Sequence, residues 1–467
     1  MARGNVLPVL AFLYRLGWTA ARPLAAPLAL ARGKLGRAVR GRRASVPTLS
    51  AWAARARRPG VPLAWFHAAS VGEGRQAEAV LTRVKAARPL WQLAYTFSSP
   101  SAERLAASLP VDVAAYAPFD TRRDVAAALD AVRPTAIVFG ATDIWPELAR
   151  QAAARGIALG LVSATLAPTS TRRGALARNL LAPAYAALAA VGAIDEVDAR
   201  GLERLGVPPG RITLTGDTRH DAALARLAAA DRAAPHLEVL AASAARTPPT
   251  LIAGSTWPSD ERELLPALGD VRSRGARFRL VIAPHEPTPQ HLAALERRIR
   301  QYVGPDAEVV RLSALLASRN SEPLATRDLA SRNSEGASRT LGAVVVDRVG
   351  ILAELYVAAS IAYVGGGFHK AGLHSVIEPA AAGVPVLFGP GYGGSRDARL
   401  LLEAGGARAA HDRRELAAAL EGWLTDETAR AAAGAAARAV VERGKGAADR
   451  SLQLVIALVE GSLHPTP

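Results

Sequence analysis

Cysteine is absent from this 467-residue sequence, and methionine occurs once. A chain without thiols has no disulfide bonds, zinc–thiolate sites, iron–sulfur clusters or cysteine nucleophiles. Half of the residues are hydrophobic and 21% are charged, which excludes a largely disordered chain. At roughly 100–200 residues per domain, the length predicts two to four domains.

Acidic residues are absent from the first 72 positions, and the first carboxylate is Glu73. Twelve of the 57 basic residues lie in residues 1–60, so the rest of the chain, with all 41 acidic residues, is close to neutral. These counts describe a basic arm on an ordinary globular body. They argue against a broad basic surface, so we expect no nucleic-acid partner.

A long uninterrupted apolar run is also lacking. Arg15 and Arg22 divide residues 4–31 into uncharged runs of 11, 6 and 9 residues, whereas a spanning helix needs about 20 apolar residues. Apolar residues at helical spacing instead predict a helix that lies in a membrane interface: Val6, Leu10, Leu13 and Leu16.

The basic run 32–43 would then contact anionic headgroups on the cytoplasmic side, and we treat residues 1–45 as a membrane-associated arm. The alternative is a helix packed on the body, followed by an arginine-rich loop.

From residue 61, short apolar runs alternate with alanine- and arginine-rich helical stretches. The first series of predicted strands covers residues 63–67, 91–97, 111–116, 135–139, 157–162 and 212–215. After an alanine-rich stretch, the second series covers residues 250–253, 278–283, 343–346, 361–364 and 384–388. This alternation predicts two doubly wound, Rossmann-like α/β domains, 61–225 and 248–435, which face each other across a cleft at the strand carboxyl ends. Helices are expected in residues 436–467.

Residues 316–341 break this pattern. The hexapeptide Ala-Ser-Arg-Asn-Ser-Glu occurs there twice at a period of 13, in a polar context without apolar periodicity. We interpret it as a duplicated surface insertion with no catalytic role.

The first candidate for chemistry is the segment 65–75, in which a strand runs into a tight turn and a helix begins near Glu73. The helix dipole favours an ionised carboxylate there, and such a group can take a proton from a hydroxyl as a general base. Ser70 and Gly72 of the turn are candidate binding residues. The alternative is a first-turn glutamate with Ser70 as the helix cap.

The second candidate is the segment 363–379, in which a strand runs into three glycines before a helix expected from about Ser375. Bare N–H groups at a helix start form an anion site, and Lys370 would add a positive charge. Glu378 is placed to accept hydrogen bonds from a ribose. The candidate binding residues are Gly365, Gly366, Gly367, Lys370, His374, Ser375 and Glu378. The string matches neither common phosphate-loop motif, and a plain turn with a satisfied glutamate is the alternative.

Weaker signals follow other predicted strands. Asp143 follows the fourth strand, whereas Ser255, Thr256 and His285 end strands of the second series, where a histidine is either a cap or a ligand. Arg219 lies in the charged segment 216–221, whose alternative role is to brace the linker between the domains. No histidine pair has the spacing of a helical metal site, so we expect no metal.

Taken in order, five segments resemble one known family, the 3-deoxy-D-manno-octulosonic acid (Kdo) transferases of Gram-negative bacteria. They are HAASVGE (67–73), ATDIWPEL (141–148), GDTRHD (216–221), APHE (283–286) and VGGGF…HSVIEPA…GVPVLFGP (364–390). The first and last are specific, and the resemblance covers nearly the whole chain from residue 63. The N-terminal segment with its basic tail also matches the membrane anchor of the family.

The resemblance implies an inverting, metal-independent GT-B glycosyltransferase without a cofactor. Such an enzyme moves Kdo from CMP-Kdo to a lipid A precursor at the cytoplasmic face of the inner membrane, in lipopolysaccharide core synthesis. Glu73 matches the catalytic base of the family. Residues 365–367, Ser375 and Glu378 match the segment that holds CMP, and His285 matches a position near it.

The sequence also departs from the family pattern. Ala141 and Asp143 stand where many members have two glutamates, Ser375 follows His374 where asparagine is common, and Pro284 replaces an arginine. These departures concern contacts and acceptor preference more than the reaction. The alternatives are another GT-B enzyme, such as a heptosyltransferase or a nucleotide-sugar epimerase, or a non-catalytic protein that binds lipid or nucleic-acid surfaces.

Overall fold

The computed structural model describes residues 6–166, 170–241, 248–304, 308–319 and 341–463. The chain divides into two compact units, one made of Met1–Ala222 with Gly444–Pro467 and the other of Ala223–Arg443. Of the expected insertion 316–341, residues 320–340 lie outside the described residues.

The first unit is built around a seven-stranded sheet in the order β3-β2-β1-β4-β5-β6-β7, in which all neighbouring strands are parallel. Its strands are β1 (Leu63–His67), β2 (Gln92–Phe97), β3 (Val113–Tyr116), β4 (Ala136–Gly140), β5 (Ala158–Ala164), β6 (Ala190–Ala193) and β7 (Ile212–Leu214). The helices of this part of the chain are α1 (Val6–Leu28), α2 (Lys34–Ala56), α3 (Val71–Ala87), α4 (Glu103–Ser108), α5 (Arg122–Val132), α6 (Pro146–Ala154), α7 (Ala175–Ala186), α8 (Glu196–Leu205) and α9 (Thr218–Ala229).

The second unit repeats this architecture with the strand order β10-β11-β9-β8-β12-β13-β14, again entirely parallel. Its strands are β8 (Thr250–Thr256), β9 (Arg279–Pro284), β10 (Glu308–Arg311), β11 (Leu341–Val345), β12 (Ile361–Val364), β13 (Val386–Phe388) and β14 (Ala407–Ala409). Its helices are α10 (Pro235–Ala241), α11 (Pro258–Ser273), α12 (Pro289–Val303), α13 (Leu312–Arg319), α14 (Leu352–Leu355), α15 (Ile377–Ala381), α16 (Arg396–Glu403), α17 (Arg413–Thr425) and α18 (Glu427–Arg443). The last helix, α19 (Ala447–Leu463), returns to the first unit and packs on α3 and β5.

Apolar layers cover both faces of each sheet, as parallel sheets require. In β1, Leu63 and Trp65 belong to one core cluster, whereas Ala64 and Phe66 belong to the other, because successive strand residues face opposite sides. Burial of each large apolar side chain stabilises the fold by about 1.5–3 kcal/mol. The predicted fold class of two doubly wound α/β domains is thereby confirmed.

Helix α1 packs against the first unit through polar and aromatic side chains. The Tyr14 hydroxyl donates to Asp120 Oδ2 at 2.7 Å, and Arg22 forms a two-point contact with Asp124 at 2.7 and 3.0 Å. The Trp18 ring lies 5.7 Å from the ring of Trp145. Part of the packed-helix alternative therefore holds, but the basic run continues as α2 from Lys34 rather than as a loop.

The other side of α1 is open to solvent. Phe12, Leu13 and Leu16 are 61%, 54% and 52% exposed. Within the part of the chain that the structure describes, no helix has the length and apolar content needed to cross a bilayer.

Candidate active site

In the first unit, Ser70 and Glu73 form a reciprocal cap at the start of α3. The Glu73 carboxylate accepts a hydrogen bond from the Ser70 backbone N–H at 3.0 Å, and the Ser70 hydroxyl accepts one from the Glu73 N–H at 3.4 Å. The capping interpretation is therefore correct as local structure. None of the other residues that the structure describes donates a hydrogen bond to the second carboxylate oxygen of Glu73, and the side chain is half-buried.

The pKa of Glu73 is raised above its ordinary value, mainly by burial and next by the negative charge of Asp143, although the Ser70 hydrogen bonds oppose the shift. No ion pair to Glu73 occurs among the described residues. A half-buried carboxylate with a raised pKa is suited to accept a proton near neutral pH.

His67, Asp143 and Trp145 form a hydrogen-bonded group at the ends of β1 and β4. Trp145 Nε1 donates to His67 Nε2 at 2.9 Å and lies 3.1 Å from Asp143 Oδ2. His67 Nδ1 lies 3.0 Å from the Thr96 hydroxyl. Trp145, which was not among the predicted site residues, therefore orients both the histidine and the carboxylate.

Two arginines that the sequence did not single out for this site adjoin the same group. Arg172 Nη2 donates to Asp143 Oδ1 at 3.2 Å. Burial alone would raise the pKa of Asp143, but contacts with His67 and Arg172 hold it below its ordinary value. The guanidinium of Arg42 lies 4.5 Å from the centre of the Trp145 ring. Both come from segments distant in sequence, so no local motif marked them.

The charged segment 216–221 has a bracing role in the first unit. Arg219 pairs with the neighbouring Asp217 through Nε at 2.9 Å, and Asp217 also accepts from Gln76 Nε2 at 3.2 Å. Asp221 accepts the backbone N–H groups of Gly446 and Ala448, both at 2.8 Å, at the start of α19. These contacts all lie within the first unit, so bracing of the linker between the domains stays a prediction.

In the second unit, Ser255 follows the buried part of β8 in a left-handed conformation, with φ of 54°. Such conformations are costly for a residue with a side chain and concentrate at functional sites. Thr256 is fully buried, and its hydroxyl donates to Glu261 at 3.1 Å. Ser255 is therefore the partly open member of this pair, whereas Thr256 anchors α11.

The glycine segment differs from the predicted anion site. Gly366 N–H and Phe368 N–H donate to the buried carboxylate of Asp260 at 2.9 and 3.2 Å. Asp260 also accepts from Trp257 N–H and the Tyr363 hydroxyl, so it is the internal anion of this loop. The expectation of bare amides is therefore wrong for Gly366, and also for Gly365, whose N–H donates to the Gly254 carbonyl oxygen at 2.9 Å.

The glycines are needed for close backbone packing. A Cβ on Gly365 would lie 2.2 Å from the Ser255 carbonyl oxygen, and one on Gly366, which has φ of 94°, would lie 2.2 Å from the Gly372 carbonyl oxygen. The helix expected from Ser375 is the short α15, which begins at Ile377 and has five residues. Lys370 lies in the loop and is exposed.

Four aromatic rings stack beside this loop. Trp257 lies 4.1 Å from His369 and 4.5 Å from His285, and His285 lies 4.5 Å from His374. The pKa of His374 is lowered, first by burial and next by the neighbouring His285. The predicted residues His285 and His374 are thus brought together, and Trp257, which lies just after β8, is the partner that sequence reasoning missed.

Ser375 and Glu378 are also adjacent. The Ser375 hydroxyl donates to the Glu378 carboxylate, which Arg226 approaches at 3.5 Å. A ribose hydroxyl at Glu378 would have to share this carboxylate with Arg226.

Gly72 of the first unit, another predicted binding residue, is exposed in the first turn of α3.

The two parallel sheets and their polar carboxyl edges belong to a known fold class. The structure is similar to that of a UDP-GlcNAc 2-epimerase from Neisseria meningitidis bound to UDP-GlcNAc, with a TM-score of 0.56, 13% identity and coverage of 84% of this chain and 99% of that one. At this identity the likeness concerns the fold alone. The fold is GT-B.

The sequence is similar to that of Kdo transferases. A family model described as 3-deoxy-D-manno-octulosonic-acid transferase (kdotransferase) matches residues 39–222. A 3-deoxy-D-manno-octulosonic acid transferase of Bordetella pertussis is 28% identical over 406 residues, covering 85% of this chain and 88% of that protein. One of Chlamydophila psittaci is 28% identical over 338 residues, covering 70% of each. The chain is therefore similar over most of its length to Kdo transferases, which makes it a glycosyltransferase.

Proposed function

We propose that this protein transfers Kdo from CMP-Kdo to a lipid A precursor in lipopolysaccharide synthesis. Its similarity to Kdo transferases carries this proposal, since relatives with that name match most of the chain. The half-buried carboxylate of Glu73 supports it, because transfer to a hydroxyl needs a group that takes the proton.

In the proposed reaction, the hydroxyl oxygen of the acceptor attacks the anomeric carbon of Kdo while its proton passes to the Glu73 carboxylate. The bond between that carbon and the phosphate oxygen of CMP breaks, and CMP leaves with the electron pair. A single displacement of this kind inverts the anomeric centre. The raised pKa of Glu73 supports the role of base because a more basic carboxylate is a better proton acceptor.

Asp143 and Arg172 act in this proposal by fixing the surroundings of Glu73. Asp143 raises the proton affinity of Glu73 through its negative charge. Arg172, 3.2 Å from Asp143, keeps that second carboxylate ionised. Contacts with Trp145 and Thr96 hold the His67 ring in place, so we assign it a positioning role rather than that of a general acid.

On the donor side, we propose that the ring stack Trp257, His285, His369 and His374 contacts CMP. Stacked rings offer flat apolar faces for a nucleobase, and neutral or protonated imidazoles can donate hydrogen bonds to phosphate. Lys370 and the histidines would offset charge on the leaving CMP, so no metal ion is required for that step. Because Gly365 N–H donates to the Gly254 carbonyl oxygen and Gly366 N–H to Asp260, we propose these side chains as the donors to phosphate.

The proposed location is the cytoplasmic face of the inner membrane. Phe12, Leu13 and Leu16 are exposed along one side of α1, and basic side chains are exposed just beyond it: Arg32, Lys34, Arg37, Arg40 and Arg43. Apolar insertion combined with attraction to anionic headgroups holds a helix in the interface. An arm of this type would bring the enzyme to an acceptor that stays in the bilayer.

The direct test is to incubate the purified full-length protein with CMP-Kdo and a lipid A precursor and to follow the product by mass spectrometry. The proposal expects an added Kdo mass and release of CMP, both undiminished by EDTA. UDP- and ADP-sugars in place of CMP-Kdo are the matched controls. Transfer from one of these, and none from CMP-Kdo, would contradict the proposed donor.

A further inference from the structure

A cavity of about 510 Å³ lies in the second unit at the amino ends of β8, β9 and β12. Thr250 and Arg279 are the first residues of β8 and β9, and Ser360 directly precedes β12. The candidate donor residues follow the opposite ends of the same strands. Because β8 has seven residues at about 3.3 Å each, the two places are about 20 Å apart.

The cavity contains an arginine whose charge is not compensated. Arg279 is only 5% exposed, and its Nε and Nη2 both donate to the Thr250 hydroxyl, at 3.2 and 2.8 Å. Its Nη1 is also buried, and none of the described residues accepts a hydrogen bond from it. Burial lowers the pKa of Arg279, and no carboxylate of the described ranges forms an ion pair with it.

An unpaired buried guanidinium is costly for a folded protein. Arginine cannot escape the cost by losing its proton, because a guanidinium stays protonated in proteins at physiological pH. A buried charged donor without an acceptor loses its hydration and gains nothing in return. An oxyanion in the cavity would supply the missing acceptor, and a planar guanidinium binds carboxylate and phosphate groups well.

The remaining lining fits an anion with an apolar body. Arg430 is a second guanidinium of the cavity. Its Nη1 donates to the Trp423 carbonyl oxygen at 2.7 Å, and its Nη2 lies 3.9 Å from Glu427, whose side chain is 89% exposed. Leu240, Leu424, Pro249 and Ala358 supply an apolar wall. The volume lies within the range of about 300–1,000 Å³ that is typical of small-molecule sites.

We propose that this cavity is a second anion site, which binds a small molecule carrying a carboxylate or phosphate group. Arg279 is its central ligand, and Arg430 contributes from the other wall. The site is separate from the residues proposed for CMP-Kdo, and it stands whether or not the chain transfers Kdo.

The experiment titrates the full-length protein with inorganic phosphate and, separately, with benzoate, a carboxylate on an apolar ring. Saturating CMP is present throughout to occupy the proposed donor residues, and sodium chloride of equal ionic strength is the blank. Isothermal calorimetry measures the affinity, and thermal unfolding measures stabilisation. Tighter binding of benzoate identifies a carboxylate site, and tighter binding of phosphate identifies a phosphate site.

The variants are Arg279→Met and Arg277→Met. Arg277 is exposed two residues earlier and provides the same change of charge. The proposal expects Arg279→Met to weaken binding at least tenfold and Arg277→Met to leave it unchanged. The ligand-free unfolding temperature of Arg279→Met should equal or exceed that of the parent protein, because an uncompensated charge has been removed.

Two outcomes would overturn the proposal. One is that neither probe exceeds the sodium chloride blank in the parent protein, and the other is equal binding by the parent and Arg279→Met. If Arg279→Met does not fold, Arg430→Met is tested instead, with whichever of the two probes binds the parent protein more tightly. Weaker binding of that probe to Arg430→Met supports the site. Unchanged binding rejects it.

Discussion

Trp145 Nε1 donates a hydrogen bond to His67 Nε2 across 2.9 Å, and the same indole N–H lies 3.1 Å from Asp143 Oδ2. On the other side of the ring, His67 Nδ1 lies 3.0 Å from the Thr96 hydroxyl. Contacts at both nitrogens therefore fix the orientation of the His67 ring. Near this ring, the negative charge of Asp143 helps to raise the pKa of Glu73, and Arg172 donates to Asp143 at 3.2 Å.

The first prediction concerns Glu73→Gln. This change keeps the shape of the side chain but removes the proton acceptor, so we expect turnover to fall by about 10²–10⁴ while CMP affinity stays the same. Initial rates with CMP-Kdo and lipid A precursor, together with calorimetry of CMP, measure both quantities.

The matched control is Glu78→Gln, which lies farther along α3 and pairs with Arg75 at the surface. It should retain normal turnover. Near-normal turnover in Glu73→Gln would instead remove Glu73 from the role of base.

The second prediction concerns the pH dependence of kcat/KM. Activity should fall on the acid side as Glu73 becomes protonated, with a midpoint above the ordinary glutamate pKa of about 4.3, because burial and Asp143 raise the pKa of Glu73. Asp143→Asn removes the neighbouring negative charge, so protonation becomes less favourable and the midpoint should move to lower pH.

The control for this shift is Asp130→Asn at an exposed pair with Arg155, which should leave the midpoint in place. Each profile is compared with its own maximum, so a lower overall rate in Asp143→Asn does not affect the result. An unchanged or higher midpoint in Asp143→Asn would show that Glu73 does not control the acid side.

The strands predicted most accurately from the sequence are continuous apolar runs that end in polar or glycine-rich segments. The predicted bounds of β1 and β12 match the observed ones at both ends. The missed strands carry weaker signals: β6 is Ala-Val-Gly-Ala, β10 has charged residues at both ends, and β14 has an arginine at its centre. Hydrogen bonding to a neighbouring strand, rather than local preference, makes them strands.

The site residues could be predicted from the sequence where the turn and the functional side chain lie in the same short segment, as at Ser70 and Glu73. It was not predictable where the partner is remote. Asp260 contacts Gly366 from 106 positions away, and Arg172 contacts Asp143 from 29 positions away. A glycine string has the same sequence whether its amides bind a phosphate or an internal carboxylate.

The third prediction concerns Asp260→Asn. Asp260 is fully buried and accepts four hydrogen bonds, and an asparagine amide nitrogen in place of one oxygen would face donors it cannot bond. We expect the free energy of unfolding of the second unit to fall by about 3 kcal/mol and CMP affinity to fall with it. Urea unfolding and calorimetry measure the two effects.

Asp270→Asn is the control, since it lies in the same helix α11 but pairs with Arg413 at the surface. Its effect should be below about 1 kcal/mol. Equal effects of the two variants would mean that Asp260 does not organise the glycine loop.

The fourth prediction concerns the arm. Replacement of Phe12, Leu13 and Leu16 by glutamine should weaken binding to vesicles, because each buried apolar side chain contributes about 1.5–3 kcal/mol of transfer free energy. The control replaces three exposed apolar residues of the body, Leu90, Val197 and Leu214, by glutamine. Flotation with vesicles that contain phosphatidylglycerol measures the bound fraction.

The charge of the arm makes a separate contribution to the same measurement. Binding of the parent protein should be weaker on vesicles of phosphatidylcholine alone, and added salt should lower binding only on the anionic vesicles, since salt screens the basic side chains from the headgroups. The alternative, in which the exposed side of α1 has no part in membrane contact, expects both triple variants to float like the parent protein. That result would leave α1 as a helix that serves only to pack on the first unit through Tyr14, Trp18 and Arg22.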